Sequence, residues 1–259
     1  MSVLDVLRLV RSVSREYIEP RFRALSTREI HEKTPGDYVT IADQQAEEAL
    51  ASGLRSISPG AVVVGEEAVF SDPHQLDAIG KAAQCYVVDP LDGTNNFVHG
   101  CEDFAVMVAE LRGPELVSSC IWQPRYGRAF TAERGAGVSC NGVPVVAEPI
   151  REPPLGASSN RFWQGFDADG QLAPVVHSTR AAGIDYPNVI TGVTDFIVFR
   201  FPKPWDHLPG QLMLQELGGD VVHLDDGRSY GPTSGRGAIV SCRDAATGRR
   251  VASLWPSGY

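Results

Sequence analysis

Three acidic clusters in this chain follow one local pattern, in which an apolar run delivers a carboxylate to the point where a strand ends. Val62-Val63-Val64-Gly65 precedes Glu66 and Glu67, and Tyr86-Val87-Val88 precedes Asp89-Pro90-Leu91-Asp92. Phe196–Pro202 leads through Lys203-Pro204-Trp205 to Asp206. Carboxylates gathered at strand ends suit hard divalent cations, which take oxygen ligands and neutralise charges that otherwise repel. The acids of Asp89-Pro90-Leu91-Asp92 stand three apart across a proline turn. That spacing lets both aim at one site, with the Leu91 carbonyl as a further oxygen. Gly93-Thr94 follow at once and offer backbone N–H groups and a hydroxyl at a turn or helix start, where an anion is favoured. A metal cluster beside an anion cradle is an arrangement for hydrolysing phosphate esters: one ion activates a water and a second stabilises the leaving oxygen. Asp43, in Thr40-Ile41-Ala42-Asp43, would serve as general base if the fold brings it to Thr94. Taken singly, Asp-Pro and Asp-Gly are ordinary turn pairs and Asp206 an ordinary helix cap; the order of all three clusters gives the pattern its weight.

The elements that must position these residues are legible in outline. Val3, Leu4, Leu7, Val10 and Val13 recur at helical spacing, with Ser2 as cap and Pro20 as stop. A second helix is predicted over Ile41–Ile57 and ends at Pro59-Gly60. Phe104–Leu111, Leu116–Trp122 and Arg128–Ala132 read as an antiparallel meander. Three prolines in Glu148–Pro154 exclude regular structure and mark a junction. Beyond it, Leu155–Ser159, Asp195–Phe201, Val221–Leu224 and Ala238–Ser241 read as strands, Ile184–Ile190 and Asp206–Leu217 as helices, and a last helix lies near the C-terminus. One domain over 1–259 is therefore expected, with an α+β subdomain at 1–147 and an α/β subdomain at 155–259.

Composition bounds the rest. With 259 residues, 43% hydrophobic and 21% charged, the chain is long enough to bury a core without disulfides or a structural metal. Its 23 Lys and Arg against 32 Asp and Glu give a net charge of −9, which argues against a broad basic face for nucleic acid or anionic membrane. The five cysteines contain no Cys-x-x-Cys pair, as expected for reduced thiols in a cytoplasmic protein. Asp5 interrupts the early apolar stretch that a signal peptide would need, and no window approaches the ~20 apolar residues of a membrane span.

Asp43, Gly65-Glu66-Glu67, Asp89-Pro90-Leu91-Asp92-Gly93-Thr94-Asn95-Asn96-Phe97 and Trp205-Asp206 with Gly210 together resemble the inositol monophosphatase family of lithium-sensitive phosphatases. The resemblance runs over roughly residues 36–241 and includes the turns at Gly135-Ala136-Gly137 and Asn141-Gly142 and the Glu216-Leu217-Gly218-Gly219 helix end. It implies a layered αβαβα sandwich of the inositol monophosphatase and fructose-1,6-bisphosphatase type, assembled as a homodimer. It further implies that Glu66, Asp89, the Leu91 carbonyl, Asp92 and Asp206 bind two or three Mg²⁺, and that Li⁺ inhibits. Asp43 and Thr94 would polarise the attacking water, and Glu67 would support Glu66. The backbone amides of Gly93 and Thr94, with Asp92 and Asn95, would hold the phosphate.

Substrate recognition departs from the family pattern. Ala181-Ala182-Gly183 stands where members carry Ser-Ala-Ala on the helix that walls the sugar pocket, so Ala182 and Gly183 are the matching substrate positions. Phe199, flanked by Arg200, stands where inositol phosphatases carry a glutamate that accepts ring hydroxyls. Trp205-Asp206-His207-Leu208-Pro209-Gly210 replaces Trp-Asp-x-Ala-Ala-Gly, so His207 and Leu208 are expected to alter the pocket wall. Lys203 and Arg200 read either as solvated cations at a strand end or as partners for a second anionic group on a substrate, which would favour a bisphosphate or a nucleotide. Lys33–Gly36, with Asp37 and Tyr38, would form a mobile loop over the site. The expected substrate is a small phosphate ester, an inositol-1-phosphate-like polyol or sugar phosphate; histidinol phosphate, fructose-1,6-bisphosphate and 3'-phosphoadenosine 5'-phosphate are the family's alternatives. A regulatory binding protein on the same scaffold is the reading of another class, because some bacterial relatives contact the transcription machinery.

Overall fold

The computed structural model describes residues 2–235 and 237–256. Helix α1 (Val3–Val13) is capped reciprocally by Ser2 and Asp5 and runs on through a π turn to a 3-10 turn containing Pro20. Where a loop was expected over Lys33–Gly36, the chain forms an antiparallel hairpin of β1 (Ile30–Thr34) and β2 (Asp37–Thr40). Its turn is tied by Gly36 N–H donating to the Glu32 carboxylate. Helix α2 (Ile41–Ile57) starts where Thr40 and Asp43 close a capping box, so the candidate base is also the N3 residue of a helix.

A seven-stranded sheet follows, ordered as in the chain: β3 (Val62–Gly65), β4 (Cys85–Asp92), β5 (Ala105–Arg112), β6 (Glu115–Gln123), β7 (Arg128–Glu133), β8 (Gly137–Cys140) and β9 (Val143–Pro144). Only the β3–β4 pair is parallel; the rest form the expected meander. Short helices α3 (Glu66–Ser71) and α4 (Thr94–Val98) leave the ends of β3 and β4. A five-stranded sheet contains β10 (Leu155–Ser158), β11 (Ala173–His177), β12 (Phe196–Phe199), β13 (Asp220–His223) and β14 (Ile239–Cys242), in the order β11-β10-β12-β14-β13. Helices α5 (Ala182–Ile190), α6 (Pro204–Glu216) and α7 (Ala245–Leu254) complete the chain.

Period-two alternation sets the layers. On β4, Tyr86 and Val88 pack with α1 and α2, whereas Cys85 and Val87 pack toward α5 and α6. Fully buried Leu50 and Leu54 anchor the outer layer, each contributing roughly 1.5–3 kcal/mol of burial. The middle helices in turn cover Ala157, Ile197, Val221 and Ile239 of the second sheet, whose far face packs against α7 and Trp255. The result is the αβαβα sandwich. Buried Arg243 ties the proline-rich tract to it, donating to the carbonyls of Glu148, Pro149 and Thr194 and pairing with Asp195. Helix α6 begins two residues before the expected start, which puts Pro209 beyond the first turn; its missing N–H leaves the Trp205 carbonyl without an i+4 donor. Among the described residues no helix is long and apolar enough to cross a membrane.

Candidate active site

In a strict strand two residues three apart face opposite sides of the sheet. Asp89 and Asp92 avoid this through a bulge: Asp89 pairs with Met107 and Asp92 with Ala105, so three steps on β4 oppose two on β5. Both carboxylates therefore turn toward the middle helices. Asp89 accepts from the Leu91 N–H at 3.0 Å, closing the turn. Asp92 accepts from Ala182 N–H at 3.0 Å and Gly183 N–H at 2.7 Å, a two-oxygen cap on the N-terminus of α5. Asp206 arrives in the first turn of α6, and Glu66 in the first turn of α3.

The α3 turn needs a partner that the sequence did not disclose. Glu47 of α2 accepts from the N–H groups of Glu67 and Ala68 at 2.8 Å each. A Cβ on Gly65 would lie 2.2 Å from the Glu47 carboxyl carbon, so only glycine admits this cap. Lys33, its side chain buried, reaches from the hairpin to Glu66 at 3.0 Å and Glu67 at 2.7 Å.

Asp43 and Thr94 do meet, across 51 residues of sequence. The Asp43 Oδ2 accepts from the Thr40 N–H and hydroxyl, and its Oδ1 lies 2.8 Å from the Thr94 hydroxyl. That hydroxyl has a second acceptor, the Leu91 carbonyl, also at 2.8 Å. Gly93 adopts a left-handed conformation (φ 83°) to start α4, and a Cβ there would press on the Asp103 carbonyl at 2.8 Å.

Burial dominates the electrostatics, and the acids reinforce it. Burial pushes the Asp43 carboxyl up to about 6, against hydrogen bonds from Thr40 and Thr94 that pull it down. It raises Asp92 to about 7 despite the two amides. Asp89 and Asp206 are held well above the usual carboxylate range by burial and then by Glu66 and their other acidic neighbours. Glu67 rises to about 8 by burial and Glu66, with Lys33 opposing. Such a group of oxygens, short of positive charge, is a donor set suited to hard cations. In the arrangement described, no three His, Cys, Asp or Glu side chains are drawn to one point among the described residues; Glu66 is engaged by Lys33 and Asp92 by the α5 amides.

Two cavities meet here. A small one of about 190 Å³ is lined by Glu66, Asp89, Leu91, Asp92, Gly93 and Thr94, with Asn95 and Asp206. A larger one of about 420 Å³ shares Asp92, Asn95 and Asp206 with it and extends to Phe199, Arg200 and His207. Arg180, which the sequence reading did not single out, lines both. Ala182 lines the larger cavity, whereas Gly183 reaches the site only through its amide on Asp92. Lys203 lies in adjoining clefts beside Trp205 and Phe70, not in either of these cavities. His207 lines the larger cavity as expected, but Leu208 is fully buried in the core between the sheets and forms no part of the wall.

A model of the inositol monophosphatase family matches residues 3–258 of this chain. The Nus factor SuhB of Pseudomonas aeruginosa is 31% identical over 230 residues, 83% of this chain and 82% of its own length. The inositol-1-monophosphatase of Mesorhizobium japonicum is 31% identical over 231 residues, 84% of this chain and 82% of its own. In fold, the IMPase of Thermotoga maritima matches with a TM-score of 0.82 at 23% identity, covering 98% of this chain and 96% of that one. A dual-specific IMPase/NADP phosphatase bound with D-inositol-1-phosphate matches with a TM-score of 0.80 at 21% identity, over 100% and 98%.

Proposed function

The chain belongs to the inositol monophosphatase family and is a phosphoric monoester hydrolase, and from that premise we propose that it releases phosphate from small soluble esters with Mg²⁺ as cofactor. Glu66, Asp89, the Leu91 carbonyl, Asp92 and Asp206 would hold two or three ions. Bound there, Mg²⁺ would acidify a water and offset the charge developing on the leaving oxygen. The rest falls to the chain itself. The Thr94 hydroxyl, donating to Asp43, keeps a lone pair free to accept from the attacking water and so fixes its orientation. Asp43, raised to about 6, is ionised at pH 7 yet basic enough to take the proton. The left-handed Gly93 starts α4 at the wall of the small cavity, where the first amides of the helix, with Asn95, would receive the phosphoryl oxygens.

One observation carries this reading: Thr94, whose hydroxyl is bonded to the buried Asp43, lines the same small cavity as Glu66, Asp89, Asp92 and Asp206. The test is phosphate release from a panel of polyol, sugar, nucleotide and amino-alcohol phosphates, with Mg²⁺, with EDTA and with added Li⁺. Release that needs Mg²⁺ and falls with Li⁺ supports it; none from any ester removes it. Assembly as a homodimer, also inferred from the family, is tested by light scattering. A second reading, a regulatory binding protein, is favoured by the name of the Pseudomonas aeruginosa relative, a Nus factor. A pull-down with RNA polymerase and RNA that stays empty removes it.

A further inference from the structure

The larger cavity asks for something more specific than a polyol. We propose that the alcohol part of the substrate carries a second anionic group, a carboxylate or a second phosphate, received by Arg180, Arg200 and the Nε2–H of His207. The inference rests on the phosphatase reading of the adjoining small cavity and assigns its substrate class.

His207 carries the argument furthest. It is 1% exposed and lines the cavity. Its Nδ1 lies 3.0 Å from the Tyr186 hydroxyl, which lies 3.0 Å from the Ser241 hydroxyl. The phenol is the more acidic donor and the imidazole nitrogen the more basic acceptor, so Tyr186 donates to Nδ1 and Ser241 donates to Tyr186. The imidazole proton then resides on Nε2. That nitrogen has no protein partner among the described residues, and the ring lines the cavity, so its donor is left for whatever acceptor the cavity holds. The ring is also clamped: Phe199 lies against it at 4.5 Å between centroids and stacks on Tyr186 at 5.6 Å. Gly210 makes room for Tyr186, since a Cβ there would fall 2.1 Å from the phenol ring. The donor is therefore fixed in direction before any substrate arrives.

The two arginines give the same wall its sign. Neither guanidinium is ion-paired among the described residues; Arg180 bonds to His177 at 3.2 Å, and Arg200 lies over the Phe201 ring. Arg180 is held in the left-handed region (φ 63°), a conformation disfavoured for a residue with a Cβ, and its N–H is fixed by the Ser178 hydroxyl. From there it borders both cavities, between the phosphoryl site and the alcohol site. Asp185, the one acid of the larger cavity outside the metal cluster, is turned inward: one oxygen holds the N–H and hydroxyl of Thr179 and the other is buried. Phe199 adds no acceptor. Donors and positive charge are left to face the alcohol part of the substrate.

The experiment compares kcat/KM, at saturating Mg²⁺, for a neutral polyol ester (D-inositol-1-phosphate), a carboxylate ester (3-phosphoglycerate) and a bisphosphate (fructose-1,6-bisphosphate). We expect at least one anionic ester to exceed the neutral one tenfold or more, and the better of the two identifies the anion. Arg200→Gln, at an exposed position that does not threaten folding, should cut that preference at least tenfold, with partial recovery in Arg200→Lys. His207→Gln, which keeps an amide donor, should retain more of the preference than His207→Leu. A neutral ester turned over as well as both anionic ones would overturn the proposal while leaving the phosphatase reading intact. So would an anionic preference that survives Arg200→Gln. Phosphate from none of the three, nor from the wider panel, would end both.

Discussion

The two cavities that meet at Asp92, Asn95 and Arg180 are built by opposite means. The small one collects carboxylates at the ends of β3 and β4 and the start of α6, with Lys33 paired to Glu66 and Glu67 alone. Burial holds Asp89, Asp92 and Asp206 above the ordinary carboxylate range, and their acidic neighbours add to it. The larger one is lined by aromatic rings and cationic side chains, and its buried polar chain of Ser241, Tyr186 and His207 is satisfied except at one nitrogen. The first is unfavourable until positive charge enters; the second is pre-ordered and awaits negative charge. A phosphate ester held between them would have its reacting end governed by electrostatics and its leaving end by fixed donors.

The largest effect should come from breaking the acid side. Asp89→Asn removes a fully buried carboxylate that feels Glu66, Asp92, Asp206 and Asp43, and phosphate release should fall by about 10³-fold or more, comparable to loss of a principal electrostatic contact in other enzymes. Thr94→Ala should cost about 10²–10³-fold in kcat, because the water then loses its fixed acceptor, whereas Thr94→Ser should keep most of the rate. Single-turnover phosphate release separates these two from slow product departure. A Thr94→Ala enzyme within threefold of the parent would mean that Asp43 acts on the water without the hydroxyl.

The acid side was also the more legible in the sequence, and the reason is physical. Asp-Pro-Leu-Asp-Gly-Thr places its acids, its carbonyl oxygen and its amides within six residues, so one site is legible once the other acidic clusters are read with it, although the bulge that aims both acids is not. The meeting of Asp43 with Thr94 was supplied by the family resemblance, since nothing local joins residues on α2 and α4. Glu47 escaped notice because its role is set by tertiary approach of α2 to the start of α3; only Gly65, directly before Glu66, hinted at a close contact. The family resemblance implies a loop at Lys33–Gly36, and the pairing of its flanks into a hairpin depends on a register that no local pattern shows. Arg180 had no local signal at all: a left-handed arginine has the same sequence as any other.

The pH dependence tests whether the acid side is unfavourable as described. Asp43, Asp92 and Glu67 have folded-state pKa values of about 6, 7 and 8, above their unfolded values near 4. In the metal-free protein the folded state therefore holds protons that the unfolded chain has released. Stability should fall as pH rises from about 4 to 8, by about 1.4 kcal/mol per pH unit for each buried group that lags. Mg²⁺ should flatten this slope and release protons on binding. Thermal melts at pH 5, 6.5 and 8, with and without Mg²⁺, measure both, and a metal-free melting temperature that rises over this range would contradict the charge arrangement.

Lys33→Met separates the hairpin's two effects on the same cluster. Without the ammonium, Glu66 and Glu67 lose their buried counter-charge, and the metal-free protein should lose stability by about 3 kcal/mol. The same change removes a cation from the place where Mg²⁺ would be held, so the apparent Mg²⁺ affinity should rise, by a few-fold at moderate salt. Denaturant melts and calorimetric titration read these separately.

The smallest effect belongs to the other cavity. Tyr186→Phe keeps the ring that stacks on Phe199 but deletes the hydroxyl between Ser241 and His207. Stability should drop by only about 1–2 kcal/mol, because one buried hydrogen bond is lost and Ser241 is left unpaired. The functional consequence should be selective. With Nδ1 no longer told to accept, the imidazole can carry its proton on either nitrogen, and the fixed donor becomes a donor part of the time. KM for the preferred ester should rise several-fold while kcat changes less, since the acid cluster is untouched. An equal fall in kcat with KM unmoved would mean that Tyr186 and His207 shape the reacting centre itself, and the division between the two cavities would have to be withdrawn.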